Sequence, residues 1–140
     1  MTGLQKRFYL DTSAYLCVLL GDPGHKDVEK GLAGGALLSS TLLVLEATRN
    51  LVRLSREGVL SAAQLRECLD RLESDRENFT LRDFTLDLCS GPFPVVSTPR
   101  SMDLAHLRTA LWFHQQEALG RFVTLDRGQA LAAGEMGLPL

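Results

Sequence analysis

The fold is decided by a short stretch near the N-terminus, Phe8-Tyr9-Leu10-Asp11-Thr12-Ser13-Ala14. Its apolar start predicts a short strand over residues 7–11, and its continuation predicts a mostly buried helix over Ala14–Leu20. Thr12 and Ser13 are expected to cap that helix. Asp11 lies between these two elements, at the end of the strand. A carboxylate beside apolar packing is costly unless something compensates its charge.

The same alternation of strand and helix continues along the chain. Further strands are predicted over residues 36–39, 79–84 and 121–125, with a frayed edge strand over 137–140, and helices over 25–32, 41–57, 62–74, 102–119 and 129–136. Short apolar strands that alternate with helices favour a parallel sheet covered on both faces. The chain is expected to form one α/β domain, residues 1–140, with a mainly parallel sheet of four to five strands.

Periodicity also assigns inner faces to two of the helices. In the helix after the second strand, the residues that follow a helical period are Leu42, Leu45, Leu51, Val52 and Leu54. In the long helix that Ser101 is expected to cap, the residues predicted to face inward are Leu104, Leu107, Leu111 and Ala118.

Composition excludes several classes of protein. The 140 residues are 45% apolar and 23% charged, which is ordinary for a globular domain, and no apolar run reaches the length of a membrane span. The net charge of −2 argues against binding nucleic acid through overall positive charge. Local phosphate binding is still open, because 12 of the 15 basic residues are arginine, whose guanidinium matches phosphate oxygens. The cysteines Cys17, Cys68 and Cys89 lack metal-ligand spacing, and Met1–Arg7 does not resemble a secretory signal. A cytoplasmic protein with reduced thiols is expected.

Four acidic residues stand where buried segments end or where helices begin. Asp11 and Asp126 close the first and fourth strands, Glu46 lies just over one turn into the helix after the second strand, and Asp103 lies in the first turn of the long helix. Ligands of parallel sheets gather at the carboxyl ends of the strands. All four acids can therefore converge at one edge.

Converging carboxylates favour a cation. Two of them 4 Å apart repel by roughly 4 kcal/mol at an effective dielectric near 20, so they need a compensating ion or must take up protons. Oxygen ligands favour Mg²⁺ or Mn²⁺, which activate water and offset the charge on a phosphodiester during hydrolysis. No Gly-x-Ser-x-Gly motif or evident Cys–His pair offers a side-chain nucleophile instead.

Each acid also has a purely structural interpretation. Asp11 is a good helix cap, Asp126 suits a turn, and Asp103 is favoured near any helix start. Glu46 is spaced to contact Arg49 and Asn50 on its own helix.

Four blocks of sequence resemble the PIN-domain nucleases, most closely the small VapC-like toxins. The blocks are Tyr9-Leu10-Asp11-Thr12-Ser13-Ala14, Leu43-Val44-Leu45-Glu46-Ala47-Thr48-Arg49, Met102-Asp103-Leu104-Ala105-His106-Leu107-Arg108-Thr109-Ala110 and Phe122-Val123-Thr124-Leu125-Asp126. They occur in the family's order and span essentially the whole chain. One departure is Gly91-Pro92-Phe93-Pro94, which interrupts a region where many relatives have a smoother helix.

The resemblance implies an α/β/α sandwich that cleaves RNA with Mg²⁺ or Mn²⁺ and is inhibited by a cognate antitoxin protein. It implies that the acidic site is formed by Asp11, Glu46, Asp103 and Asp126, with supporting hydroxyls from Thr12, Ser13 and Thr124. A homodimer is also expected by analogy with the family.

Residues outside the acidic set leave two interpretations open. Arg49 and Arg53, with Arg56 on the same helix, either guide the phosphates of RNA or form a solvated helix face. His106, one turn after Asp103, either orients that carboxylate or assists proton transfer, or it is simply a packed or hydrogen-bonded helix residue. Rival functions are a non-catalytic PIN-like scaffold, a PIN nuclease outside toxin–antitoxin systems, and a haloacid-dehalogenase-like phosphatase. The phosphatase is disfavoured, because Ser13 stands where that chemistry needs a second Asp.

Overall fold

The computed structural model describes residues 5–97 and 100–140, so part of the segment tested for a secretory signal, residues 1–4, lies outside the described chain. The strands are β1 (Arg7–Leu10), β2 (Ala36–Ser40), β3 (Phe79–Arg82) and β4 (Arg121–Val123). The helices are α1 (Thr12–Leu20), α2 (His25–Leu32), α3 (Thr41–Arg56), α4 (Ala62–Asp75), α5 (Leu86–Cys89), α6 (Ser101–Gln116) and α7 (Arg127–Glu135). A 3₁₀ turn, Arg76–Asn78, precedes β3. No helix in the described ranges is both long and apolar enough to cross a membrane.

The four strands form one sheet in the order β3-β2-β1-β4, and all three neighbouring pairs are parallel. This confirms the predicted α/β class and the parallel sheet. The edge strand expected over residues 137–140 does not form. Instead, a turn at Gly137 brings the carbonyl of Pro139 to the backbone N–H of Phe122, which donates to it at 2.7 Å.

The strand order places a topological switch between β1 and β4. From β1 the chain proceeds to β2 and then β3 on one side, and it returns through α6 to β4 on the other side of β1. Connections leaving two adjacent strands in opposite directions open a crevice at their carboxyl ends. Asp11 and Asp126 follow these two strands.

Two hydrophobic layers cover the sheet because successive side chains of β1 point to opposite faces. Phe8 and Leu10 pack with α1, α3 and α4, whereas Tyr9 packs with α6 and α7 on the other face. The Tyr9 ring stacks on Phe122 of β4, with ring centroids 5.5 Å apart. The arrangement is an α/β/α sandwich, as expected.

The boundaries of α1 and α6 differ from the predictions. Helix α1 begins at Thr12, and its cap is Asp11, whose carboxylate accepts a hydrogen bond from the backbone N–H of Ala14. Ser101 is the first helical residue of α6 rather than its cap. This helix ends at Gln116, so Ala118 is exposed rather than buried.

The end of α6 has a local physical cause. Glu117 adopts an extended backbone conformation, which stops the helix. The Nδ1 atom of His114 then accepts a hydrogen bond from the backbone N–H of Leu119, which turns the chain toward β4.

The inner face of α3 was predicted only in part. Leu43, Ala47 and Leu51, each four residues apart, are buried against the sheet. Leu45 and Val52 lie on the opposite side and are 65% and 41% exposed. The prediction was wrong for these two residues because an almost continuous apolar run at the start of the helix fits more than one helical face.

Two glycines allow the strands beside β1 to approach the Phe8 ring. A Cβ atom at Gly35 would lie 2.3 Å from Cε2 of this ring, and one at Gly120 would lie 3.3 Å from the carbonyl of Arg7. Phe8 is itself buried, so its ring has little room to move.

We therefore predict that Gly35→Ala lowers the free energy of unfolding by about 1–3 kcal/mol, because the added methyl group overpacks the core. The control is Gly134→Ala in α7, where the new Cβ meets only Leu140 at 3.5 Å and helix propensity favours alanine. Urea denaturation of both variants measures the difference. Equal stability of the two variants would show that the Phe8 ring adjusts freely.

Candidate active site

One pocket brings the four acids together. It has a volume of about 210 Å³ and is lined by Asp11, Thr12, Ser13, Leu16, Glu46, Asn50, Asp103, His106 and Asp126. The convergence expected from the strand ends is therefore present, together with two of the predicted hydroxyl residues. The catalytic roles of these residues remain predictions.

Asp11 lies deepest among the acids, at 5% exposure, and its carboxylate is held at both oxygens. Oδ1 accepts hydrogen bonds from the Ser13 hydroxyl at 2.7 Å and from the backbone N–H of Ala14 at 3.2 Å, while Oδ2 accepts one from the Thr124 hydroxyl. Burial raises the pKa of Asp11 above its ordinary value, and these three hydrogen bonds oppose that effect. The site therefore holds a carboxylate whose charge is incompletely compensated.

The Ser13 and Thr124 hydroxyls join the end of β1 to the end of β4. Thr124 Oγ1 accepts a hydrogen bond from the backbone N–H of Asp126, and Ser13 Oγ accepts one from the backbone N–H of Leu125. Each hydroxyl thus donates to Asp11 and accepts from the segment that carries Asp126. This connection fixes the two acids relative to each other.

Glu46 is held by a buried histidine from another helix. Oε1 of Glu46 lies 2.7 Å from Nε2 of His106 and 2.7 Å from the hydroxyl of Thr12. Burial alone raises the pKa of Glu46, but the hydrogen bond and charge of His106, together with Thr12, bring the net pKa below its ordinary value. Glu46 is therefore an ionised carboxylate at neutral pH.

The proton on Nε2 of His106 follows from its neighbour Glu46. An ionised carboxylate only accepts hydrogen bonds, so Nε2 of His106 carries the proton that faces Glu46. The Tyr9 hydroxyl lies 2.8 Å from Nδ1 and is hydrogen-bonded to it. Burial raises the pKa of this hydroxyl, so it stays protonated. His106 is 2% exposed and is therefore packed, and the carboxylate that it contacts is that of Glu46 on α3.

Asp103 and Asp126 are connected through Gln129, a residue that the sequence analysis missed. Oδ1 of Asp126 accepts a hydrogen bond from the backbone N–H of Gln129, and the Gln129 amide donates to the carbonyl of Asp103 at 3.0 Å. Gln129 is 1% exposed, and its Oε1 has no hydrogen-bond partner among the described residues. The Asp-x-x-Gln spacing is that of a capping box, and this spacing is the feature of the sequence that could have marked Gln129.

The carboxylate and hydroxyl oxygens of the pocket suit a hard divalent cation, although they are not already arranged around one metal position. Within residues 5–97 and 100–140, no group of three or more His, Cys, Asp or Glu side chains is arranged so that it could hold a metal ion. The pocket nevertheless offers carboxylate and hydroxyl oxygens, the ligands that Mg²⁺ and Mn²⁺ prefer. The raised pKa of the buried Asp11 fits a site completed by positive charge.

The two predicted substrate-binding arginines have different surroundings on α3. Both Arg49 and Arg53 are exposed, but the Arg53 guanidinium donates to Glu57 at 3.1 Å and to the Asn50 side chain at 3.1 Å. Asn50 in turn donates to the backbone carbonyl of Glu46. Arg53 can contact a substrate only by exchanging its present partners, and an exposed pair of this kind costs at most about 1 kcal/mol to break.

No family model matches this sequence, and no curated protein matches it at a significant level.

We predict that Tyr9→Phe lowers the free energy of unfolding by about 1–2 kcal/mol, because it leaves the buried Nδ1 of His106 without its hydrogen-bond partner. Urea denaturation measures the change. In a His106→Leu background the same substitution should cost clearly less, since the partner is already gone. An identical cost in both backgrounds would mean that the Tyr9–His106 bond contributes nothing.

Proposed function

We propose that this protein is a metal-dependent endoribonuclease of the PIN-domain type, acting as the toxin of a toxin–antitoxin pair. The observation that supports this most is the meeting of Asp11, Glu46, Asp103 and Asp126 in one pocket at the sheet's switch point. The order of the motifs along the chain also supports the proposal, because it resembles the order in the PIN-domain family. The toxin role, the antitoxin partner and the homodimer rest on that resemblance alone.

A divalent cation, Mg²⁺ or Mn²⁺, would be held by Asp11, Asp103 and Asp126. When bound, it supplies a Lewis acid that lowers the pKa of a coordinated water and offsets negative charge on a phosphodiester. Ser13 and Thr124 hold the Asp11 carboxylate through hydrogen bonds to its two oxygens, so these hydroxyls fix its orientation toward the pocket.

Glu46 is the residue suited to position a water molecule or to bind the cation through one. Its Oε1 receives hydrogen bonds from His106 and Thr12, whereas its Oε2 makes no hydrogen bond with any described residue. The lowered pKa keeps the group ionised. Oε2 is therefore a fixed, ionised oxygen that can accept a hydrogen bond from a water in the pocket, and its lowered pKa suits it to orienting that water rather than to taking up its proton.

Single-stranded RNA would lie across the carboxyl edge of the sheet, with Arg49 as its first phosphate contact and Arg53 as a second. Arginine suits this role because its planar fork matches phosphate oxygens. The protein's net charge of −2 offers little general attraction for RNA, so binding depends on these local contacts.

We predict that Asp11→Asn and Asp103→Asn each reduce RNA cleavage at least about 100-fold, because losing even an outer partner of a metal ligand typically costs 10–100-fold. The matched control is Asp70→Asn, which changes an exposed acid on α4. Cleavage of a labelled single-stranded RNA in Mg²⁺ or Mn²⁺ measures the effect, with DNA of the same sequence as a second substrate. A folded wild-type protein that cleaves no RNA would remove the nuclease proposal and favour a partner-binding scaffold.

We also predict that Mn²⁺ raises the melting temperature of the wild-type protein by several degrees. A ligand at about 100 times its dissociation constant stabilises the folded state by about 2.7 kcal/mol. The gain should shrink strongly in Asp103→Asn and persist in Asp70→Asn, when both are compared in potassium chloride of equal ionic strength. A gain of the same size in all three proteins would indicate nonspecific ion effects and no acidic metal site.

A further inference from the structure

A second pocket lies beside α6, apart from the acidic site. It has a volume of about 160 Å³ and is formed by α5, the segment that follows α5 and the later turns of α6. Its aromatic, charged and amide side chains are Asp87, Phe93, Arg108, Trp112 and Gln115. None of these residues lines the acidic pocket. We call this second site the Phe93–Trp112 pocket.

One wall of this pocket comes from the segment Gly91-Pro92-Phe93-Pro94, where the sequence departs from the PIN-domain pattern. Gly91 has a φ of 89°, a left-handed conformation that favours glycine, so the chain turns just before Phe93. The departure therefore has a structural result, because it brings an aromatic ring to the outer side of α6.

The segment that carries Phe93 is attached to the rest of the molecule at both ends. Arg108 of α6 donates a hydrogen bond to the carbonyl of Ser90. Ser97 donates to the Glu135 carboxylate through its backbone N–H at 3.0 Å and through its hydroxyl at 2.9 Å. The wall is thus held in place before any ligand arrives, which lowers the entropic cost of binding.

Both aromatic rings of the pocket have a guanidinium group over one face. Cζ of Arg82 lies 4.6 Å from the centroid of the Trp112 ring, and Cζ of Arg108 lies 4.7 Å from the centroid of the Phe93 ring. Guanidinium groups within about 6 Å of a ring centroid are attracted to its π electrons. Arg82 is itself fixed by a hydrogen bond of 2.5 Å to Asp87. The rings are therefore oriented by charged neighbours.

The polar groups of the pocket include both acceptors and donors. The Asp87 side chain is 58% exposed, and hydrogen bonds from Thr85 and Arg82 hold the pKa of its carboxyl below the ordinary value. It is therefore ionised at neutral pH, and a carboxylate has lone pairs for further hydrogen bonds. Gln115 is exposed, and its amide makes no hydrogen bond within residues 5–97 and 100–140. Arg108 has more N–H donors than its bond to the main chain uses.

These groups together match the chemistry of a nucleobase. Bases stack on aromatic rings and on guanidinium planes, and their edges carry both hydrogen-bond donors and acceptors. A purely apolar ligand would leave Asp87 and Gln115 without contacts. A simple anion would be repelled by the Asp87 carboxylate and would not use the rings.

We propose that the Phe93–Trp112 pocket binds a nucleobase, supplied by single-stranded RNA or by a free nucleotide. The Asp87 carboxylate accepts hydrogen bonds from an amino group of the base, so guanine, adenine and cytosine are favoured over uracil, which has no amino group. This site goes beyond the nuclease proposal, and only its RNA form rests on that proposal. Arg108 follows Asp103 on α6 by five residues, about 8 Å along the helix axis, which is within the reach of a few nucleotides.

Trp112 is the only tryptophan of the chain, so its fluorescence reports directly on this pocket. The test titrates the protein with guanosine monophosphate and with uridine monophosphate, in EDTA so that no cleavage occurs, and corrects for nucleotide absorbance with free tryptophan amide. We expect a saturable change in emission. Guanosine monophosphate should bind about tenfold more tightly than the uridine nucleotide, because hydrogen bonds to a charged acceptor are among the stronger ones.

Two RNA octamers, one of uridine alone and one of uridine with a single central guanosine, distinguish the two sources of the base. Tighter binding of the guanosine octamer than of guanosine monophosphate assigns the pocket to a base of RNA. Equal affinities of these two ligands assign it to a free nucleotide.

Variants test the ring and the carboxylate separately. Phe93→Ala should weaken the guanosine ligands at least about tenfold, because stacking on an aromatic side chain contributes that much. Its matched control is Val95→Ala on the same segment, since Val95 is 99% exposed and does not line the pocket. Asp87→Asn should reduce the preference for guanine, because an amide also donates to the carbonyl groups of uracil.

Circular dichroism establishes that each variant folds, and the exposed position of Asp87 keeps one variant independent of packing. The proposal is overturned if neither the nucleotides nor the octamers change the emission of Trp112. It is also overturned if Phe93→Ala binds as tightly as Val95→Ala, or if the wild type does not discriminate guanine from uracil. RNA cleavage that depends on Asp11, together with unchanged Trp112 emission, would reject this pocket alone. Saturable nucleotide binding by a protein that cleaves no RNA would reject only the nuclease.

Discussion

The organisation of the pocket depends on one buried chain of hydrogen bonds, from the Tyr9 hydroxyl through His106 to Glu46 and Thr12. These four residues come from β1, α6, α3 and α1, so the chain connects the sheet with helices from both of its faces. A buried polar network of this kind is stabilising only when every member has a partner. Its requirements therefore fix the relative positions of the helices as well as the orientation of one carboxylate.

The sheet supplies the second constraint. Asp11 and Asp126 follow adjacent parallel strands, and the Thr124 and Ser13 hydroxyls hold them together through direct bonds across the switch point. Neither acid could move without breaking the hydrogen bonds that begin helices α1 and α7. The geometry of the pocket is thus tied to the cap hydrogen bonds that begin α1 and α7.

Whether a structural feature can be predicted from the sequence depends on whether neighbouring residues or residues far apart in the chain determine it. The strands and the convergence of the acids were predictable, because apolar runs and strand ends are local signals that the parallel sheet then brings together. The exposure of Leu45 and Val52 was not, since a nearly unbroken apolar run at the start of a helix fits several faces. The spacing from Asp126 to Gln129 is a local signal of the helix start, but the bond from the Gln129 amide to the carbonyl of Asp103 was not predictable, because the two residues lie 26 positions apart.

The structural and the functional interpretations of the acids turn out to be compatible. Asp11 and Asp126 cap helices α1 and α7, and Asp103 lies in the first turn of α6. The start of a helix carries partial positive charge, which favours a nearby carboxylate by about 0.3–1 kcal/mol. The chain itself thus supplies positive potential where it concentrates negative charge, and it does so without filling the pocket. Because each carboxylate used as a cap keeps a fixed direction, the same contacts that stabilise the helices also arrange the oxygens for a ligand. A cap that only stabilised its helix would not need to share a pocket with other acids, yet Asp11, Asp103 and Asp126 share one with Glu46, which lies farther into α3.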